Sequence, residues 1–286
     1  MSYLQEKYIN PLTDFGFKKL FGTEPNKILL MDFLNQILPE KHQIQELSYS
    51  KNEHVGQQEL DRKAIFDVYC VGQSGERFIV EVQKAKQNYF KDRSIYYASF
   101  PIQEQAKRGN WDDKLEPVYT VGILDFIFDD HKLDAELIHV VALKKSAQRS
   151  FSDKLKFIYI ELPKFKKTEA ELETQFDKWL YVFRHLSQLQ KRPTKFQEKI
   201  FEKLFEAAEI AKFSKNELVA YEESLKYYRD MKNVVDTSKE EGWLEGQKAG
   251  CEQRNYEIAR VLKAKGMPIQ EISEITGLTA QEIEHL

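Results

Sequence analysis

The feature that most restricts the fold is a pair of short apolar runs, each interrupted by one carboxylate and joined by a glycine-rich link. The runs are Ile65-Phe66-Asp67-Val68-Tyr69-Cys70 and Phe78-Ile79-Val80-Glu81-Val82-Gln83, and the link contains Gly72-Gln73-Ser74-Gly75. Glycine tolerates the positive φ that short hairpin loops demand, so the spacing predicts a β-hairpin. Side chains alternate across a strand, which puts Glu81 and Gln83 on one face with Ile79, and Phe78, Val80 and Val82 on the other. An Asp in mid-strand among apolar residues costs several kcal/mol unless its charge is compensated. A second carboxylate on the paired strand adds repulsion. A divalent cation between the two removes both costs, and Mg²⁺ is held by one or two carboxylates together with waters and substrate phosphate. Taken alone, an Asp in a strand is more often a hydrogen-bonded structural residue than a metal ligand.

The flanking sequence predicts a mixed α/β chain. Asn10-Pro11-Leu12-Thr13-Asp14 is a helix-start signal with Thr13 or Asp14 as the cap, N-capping being the expected role of Asp14. Two helices, broken near Gly22 and Pro25, follow at the spacing of Phe17, Leu20, Phe21 and then Leu29, Leu30, Phe33, Leu34. Strands are expected over 44–50, 62–71, 76–82, 117–128, 137–143 and 157–162, with a helix over 88–108 despite Pro101. Beyond Pro163 the pattern is helical to Met231. Gly242, Gly246 and Gly250 each cost about 1 kcal/mol in a helix interior relative to Ala, so 236–250 is read as a linker or frayed helix. The expected organisation is therefore a domain over 1–165, a helical region over 166–235, a linker over 236–250 and a small helix-turn-helix-like tail over 251–286.

Composition excludes several classes. The 286 residues carry 43 Lys plus Arg against 46 Asp plus Glu, a net charge of −3. No stretch approaches the roughly 18 apolar residues of a membrane span, and the N-terminal sequence lacks the basic and apolar regions of a secretion signal; the sequence predicts a soluble, cytoplasmic protein with no membrane partner. Two distant cysteines, Cys70 and Cys251, support neither a disulfide framework nor a zinc site, so any metal must be held by oxygen. Charge is unevenly distributed. Residues 144–167 hold eight basic side chains against Asp153 and Glu161, interleaved with Phe151, Phe157, Tyr159 and Phe165. That stripe could track a DNA backbone, but Lys is also the usual blocker of edge strands, and the edge-strand reading is preferred. Residues 266–286 contain four Glu and no Lys or Arg, the wrong sign for a DNA-groove reader, so the tail is read as a protein-contact element.

Asp67 followed by Glu81-Val82-Gln83 resembles the D…E-x-K core of the PD-(D/E)XK nuclease superfamily, in an E-x-Q form. The opening Asn10-Pro11-Leu12-Thr13-Asp14-Phe15-Gly16-Phe17-Lys18-Lys19-Leu20-Phe21 resembles the start of the Rpn family of recombination-promoting nucleases, grouped with transposases of that superfamily. Arg93, Tyr96, Tyr97 and the strand Val118 to Phe126 follow in the expected order. The resemblance implies a restriction-endonuclease-like αβββαβ core with a C-terminal helical region. It also implies Mg²⁺-dependent cleavage of DNA phosphodiesters, with Asp67, Glu81 and the Val82 backbone carbonyl as metal ligands and Gln83 in the catalytic position of the Lys. Gln83 can orient a water but supplies no charge. Lys18 or Lys63 could supply it; Lys84 would point to the opposite face unless the strand ends there. Asp14 is a candidate metal-facing residue, and Arg93 and Tyr97, at i, i+4 on the helix after the core, are candidate phosphate contacts. A second reading keeps the fold but not the activity: a catalytically weak protein of nucleic-acid binding or assembly, with the C-terminal helices as a candidate surface for homo-oligomerisation.

Overall fold

A computed structural model of the chain describes residues 6–50, 53–54, 64–106, 114–146 and 149–286. The chain divides into two compact units, Met1–Arg229 and Asp230–Leu286.

The first unit opens with α1 (Asp14–Phe21) and α2 (Lys27–Asn35). The motif at its start is explained by backbone crowding. Thr13 Oγ1 donates to the Asn10 carbonyl at 2.8 Å and accepts from the Gly16 N–H at 3.0 Å, capping α1. A Cβ on Gly16 would lie 2.1 Å from the Asn10 carbonyl oxygen, so only glycine fits. The cap is therefore Thr13 and not Asp14, whose carboxylate pairs with Lys18 one turn on, at 2.7 Å.

Six strands form one sheet: β1 (Leu47–Tyr49), β4 (Val68–Gly72), β5 (Arg77–Gln83), β6 (Val118–Leu124), β7 (Ile138–Lys144) and β8 (Ser150–Glu161), in the order β1-β4-β5-β6-β8-β7. A separate antiparallel pair, β2 (Glu53–His54) and β3 (Ala64–Ile65), lies between β1 and β4 in sequence. β5, β6 and β8 are parallel to one another; the other pairings are antiparallel. The β4–β5 hairpin forms as expected, with Gly75 at φ 92°. The strand expected over 62–71 is not continuous: it breaks at Phe66–Asp67 between β3 and β4. Asp67 thus sits in a bend at the start of β4 and not in mid-strand.

Helix α3 (Phe90–Gln105) connects β5 to β6 and covers one face of the sheet, where Phe90 and Ala98 pack on Val118, Leu124 and Tyr159, and Tyr97 and Phe100 on Phe66, Tyr69 and Ile79. The opposite face, carrying Phe78, Val80, Tyr119, Val121 and Ile123, packs on α1, α2, α4 (Gln175–His185) and α5 (Lys199–Ala208). Trp179 is fully buried there between Phe21, Phe33 and Phe201, and its indole N–H donates to Asp32 at 2.7 Å. The lysine-rich stripe falls largely on the β7–β8 hairpin; Phe157, Tyr159 and Phe165 are core residues and Phe151 is exposed.

Residues 236–250 are helical, part of the 50-residue α6 (Lys215–Ala264), in which Gly242, Gly246 and Gly250 have open space around them. In the second unit the end of α6 packs with α7 (Ile269–Thr276) and α8 (Ala280–Glu284) around Ala259, Ile272, Leu278 and Ile283. Gly277 adopts φ 71° between the last two helices and Thr279 caps α8.

Candidate active site

The carboxyl end of β5 brings most of the candidate residues together. Val68 is opposite Val80, so Val82 runs past the last paired residue of β4. Its N–H donates instead to Asp67 Oδ2 at 2.7 Å. That bond accounts for the bend: the side chain of Asp67 replaces the missing strand partner.

Glu81 is on the α3 face of the sheet, beside Gly122 of β6 and, one strand further, Tyr159. A Cβ at Gly122 would meet the Tyr159 ring at 3.0 Å, so that ring takes up the space a side chain on the neighbouring strand would need. Glu81 is only 8% exposed, and its Oε1 has no hydrogen-bond partner among the described residues. Burial and the nearby Asp67 charge push its carboxyl up to about 8, against the pull of Arg93, the Asp67 backbone N–H and Lys18. Burial likewise pushes Asp67 up to about 6, opposed by the Val82 N–H and assisted by Asp14. Two neighbouring carboxyls held above their ordinary range have only part of the compensation that a buried anion needs.

Three basic residues surround this pair. Lys18 is tied to Asp14, and both line an open cleft of about 840 Å³ with Asp67 and with Tyr227 of α6. Lys84 follows the end of β5, so the face alternation of the strand no longer governs it. Its ammonium lies 4.0 Å over the Tyr228 ring, and burial lowers it to about 8 against the attraction of Asp14, Asp125 and Asp67. Arg93 donates through Nη2 to Gln83 Oε1 at 2.7 Å and through Nη1 to Gln87 Oε1. Tyr97, one turn along α3, has its phenol raised by burial and by the Glu81 charge. Lys63 lies outside the described residues.

Sequence reasoning missed a second polar cluster, at the ends of β6 and β8. Glu161, fully buried, accepts from the Phe128 N–H at 2.8 Å and lies 3.1 Å from His131 Nδ1 and 3.2 Å from His139 Nε2, whose rings stack at 3.9 Å. Burial acts against its ionisation, yet Lys164, the Phe128 N–H and His131 together hold the carboxyl below its usual range. His131, His139 and Glu161 have metal-ligating atoms within 4.8 Å of one another. The Lys164 ammonium already stands there, 2.7 Å from Glu161 Oε2 and 3.4 Å from His139 Nε2, so the cation of this cluster is the chain's own. The residues are scattered over 30 positions, and no spacing rule connects them.

Among the described residues no helix is long and apolar enough to cross a membrane. Comparison with curated proteins and with solved structures returns no match. The profile of the PD-(D/E)XK nuclease family transposases matches residues 11–238, a span that contains α1, the whole sheet and the Asp67–Glu81 pair. With most of its length inside that match, the chain belongs to the PD-(D/E)XK nuclease family transposases, a nuclease-like protein by descent and by fold.

Proposed function

We propose that this chain is a Mg²⁺-dependent DNA endonuclease, linked to recombination or mobile-element biology, with its active site at the end of β5. The observation that carries the reading is Glu81 Oε1, a buried carboxylate oxygen without a partner among the described residues, beside a second buried carboxylate. A divalent cation supplies what that pair lacks, and an oxygen donor set is what Mg²⁺ takes. Asp67, Glu81 and the backbone carbonyl of Val82 would hold it; the N–H and C=O of a strand residue point to the same edge, and the Val82 N–H is already turned toward Asp67. When bound, the ion activates water and polarises the scissile phosphate.

The chain's own groups prepare the rest. Val82 fixes the Asp67 carboxylate through its N–H, and α3 closes the sheet face around Glu81. The cleft lined by Asp14, Lys18 and Tyr227 gives a phosphodiester access from the α1 side.

Plasmid nicking in Mg²⁺ tests the assignment. Wild type is expected to cleave, and Asp67→Ala and Glu81→Ala are each expected to remove the activity. Cleavage that survives both substitutions would place the chemistry elsewhere. Wild-type binding of DNA without cleavage in any divalent metal would instead favour the reading of a nuclease fold retained for binding.

A further inference from the structure

Position 83 departs from the superfamily pattern, and the structure gives its Gln an occupation. The Gln83 amide is engaged at both ends by the chain itself: Nε2 donates to the Ala85 carbonyl at 3.1 Å and Oε1 accepts from Arg93 Nη2 at 2.7 Å. The other arm of the guanidinium donates to Gln87 Oε1. Its Cζ lies 5.1 Å from the Phe90 ring centroid and 5.7 Å from that of Tyr97. Two neutral amides and two rings therefore fix the plane of a half-buried guanidinium at the start of α3.

The choice of acceptors matters. No carboxylate of the described residues lies within ion-pair distance of Arg93, whereas Lys18 is paired with Asp14 and Lys84 is packed over Tyr228. An arginine held by neutral oxygens keeps its full charge and three of its five N–H donors for a ligand. That charge acts on both Asp67 and Glu81, so it is close to the carboxylate pair without being spent on it. Arginine is also the side chain best suited to a phosphate oxygen pair.

We infer that Arg93 is the phosphate contact of the site and that Gln83 is its positioning residue, a deepening that rests on the nuclease reading above. Gln83 is then not a vacated lysine seat. It is the acceptor that aims an arginine arriving from the next helix, and the positive charge has moved from strand to helix.

Gln83→Lys separates the two views of this position. If Gln83 stood in an empty lysine seat, restoring Lys would raise activity. Here it removes the acceptor and sets an ammonium about one hydrogen-bond length from the guanidinium, so activity should fall. The experiment measures binding of a labelled DNA duplex in Ca²⁺ over a range of salt, and single-turnover cleavage in Mg²⁺, for wild type, Arg93→Met, Arg93→Lys, Gln83→Met, Gln83→Lys and the double Met variant, each checked for an unchanged melting temperature. Arg93→Met should weaken binding about tenfold or more, the scale of a charge-assisted hydrogen bond, and lower the salt slope by about one. Gln83→Met should follow in the same direction, and the double variant should be no worse than Arg93→Met alone. Arg93→Lys, which keeps the charge and loses the two-armed fixation, should fall between.

Gln83→Lys binding and cleaving at or above wild type overturns the inference, as do losses from Arg93→Met and Gln83→Met that simply add, or an unchanged salt slope. Wild-type binding without cleavage defeats the hydrolase reading alone, since the binding arms still decide the role of Arg93. A wild type that binds no duplex overturns both.

Discussion

Replacing Glu81 by Gln should stabilise the metal-free protein while destroying its response to metal. The carboxyl stands at about 8 in the folded chain against an ordinary 4.5. Below pH 4.5 both folded and unfolded chains carry the proton and the group contributes nothing. Above it the unfolded chain ionises and the folded chain resists, so stability falls by about 1.4 kcal/mol per pH unit until the folded value is passed. Between 4.5 and 7.5 that interval is worth at most about 4 kcal/mol, and the neutral amide keeps one poorly satisfied polar atom, so a net gain of about 2–3 kcal/mol is expected. For a chain of this size the gain corresponds to a rise in Tm of about 3–5 °C. The assay is thermal unfolding followed by circular dichroism in EDTA, at pH 7.5 and at pH 5, where the difference should nearly vanish. Adding Mg²⁺ should then raise the Tm of wild type and leave Glu81→Gln where it was, because only the wild type offers the second carboxylate. Glu81→Gln melting at or below wild type in EDTA at pH 7.5 would refute the reasoning, since it would mean that the chain already compensates the charge.

Three further outcomes are expected. Glu161→Ala leaves the Lys164 ammonium, only 9% exposed along its side chain, without its carboxylate, and should cost about 3–5 kcal/mol in urea unfolding at pH 7; a cost under about 1 kcal/mol would show the cluster to be dispensable. Because this carboxyl is held below its ordinary 4.5, its contribution is present above that pH and should be lost as pH falls through the folded value. Trp179→Ala should cost about 3–5 kcal/mol by emptying the pocket between Phe21, Phe33 and Phe201, while Trp179→Phe should lose about 1 kcal/mol with the indole bond to Asp32, both read from denaturant midpoints. Deleting 239–286, which lies beyond the family match, should leave metal-dependent nicking within a few-fold of the full chain; its loss would assign the tail a part in the reaction.

The hairpin, the two opening helices, α3 and the buried β6 were legible because hydrophobic periodicity reports directly on which face is buried. The break at Asp67 was not, since a carboxylate that takes the place of a strand partner leaves the apolar pattern of 64–70 unchanged. At Lys84 the exception allowed for in the sequence applies: face alternation holds only as far as the strand, and β5 ends at Gln83. Asp14 was a fair capping residue by type, yet α1 begins at Asp14 itself, so the cap position falls on Thr13, whose Oγ1 accepts from the Gly16 N–H. Gln83–Arg93 and the Glu161 cluster are tertiary pairings, made between elements whose approach no local spacing encodes. In α6, three glycines each weaken the helix by about 1 kcal/mol, but the long charged and aliphatic stretches on either side favour helix and the backbone does not stop.

The two buried glutamates at the carboxyl ends of the parallel strands differ in how their charge is met. Glu81 is on β5 and Glu161 two strands away on β8, in the same sheet and on the same face, since Gln83, Leu124 and Glu161 are in register. Both are withdrawn from water, and both face a cost of burial. Glu161 meets it within the chain, through a lysine three residues on, a backbone N–H and two imidazoles, and its carboxyl falls below the ordinary range. Glu81 has an arginine whose bonds go to amides, a neighbouring aspartate that makes matters worse and an oxygen with no partner among the described residues, and its carboxyl rises. Burial alone would not tell them apart. The sign of the shift does, because a deficit that the chain leaves open on one carboxylate while closing it on the other is a place where binding of a cation gains the most free energy.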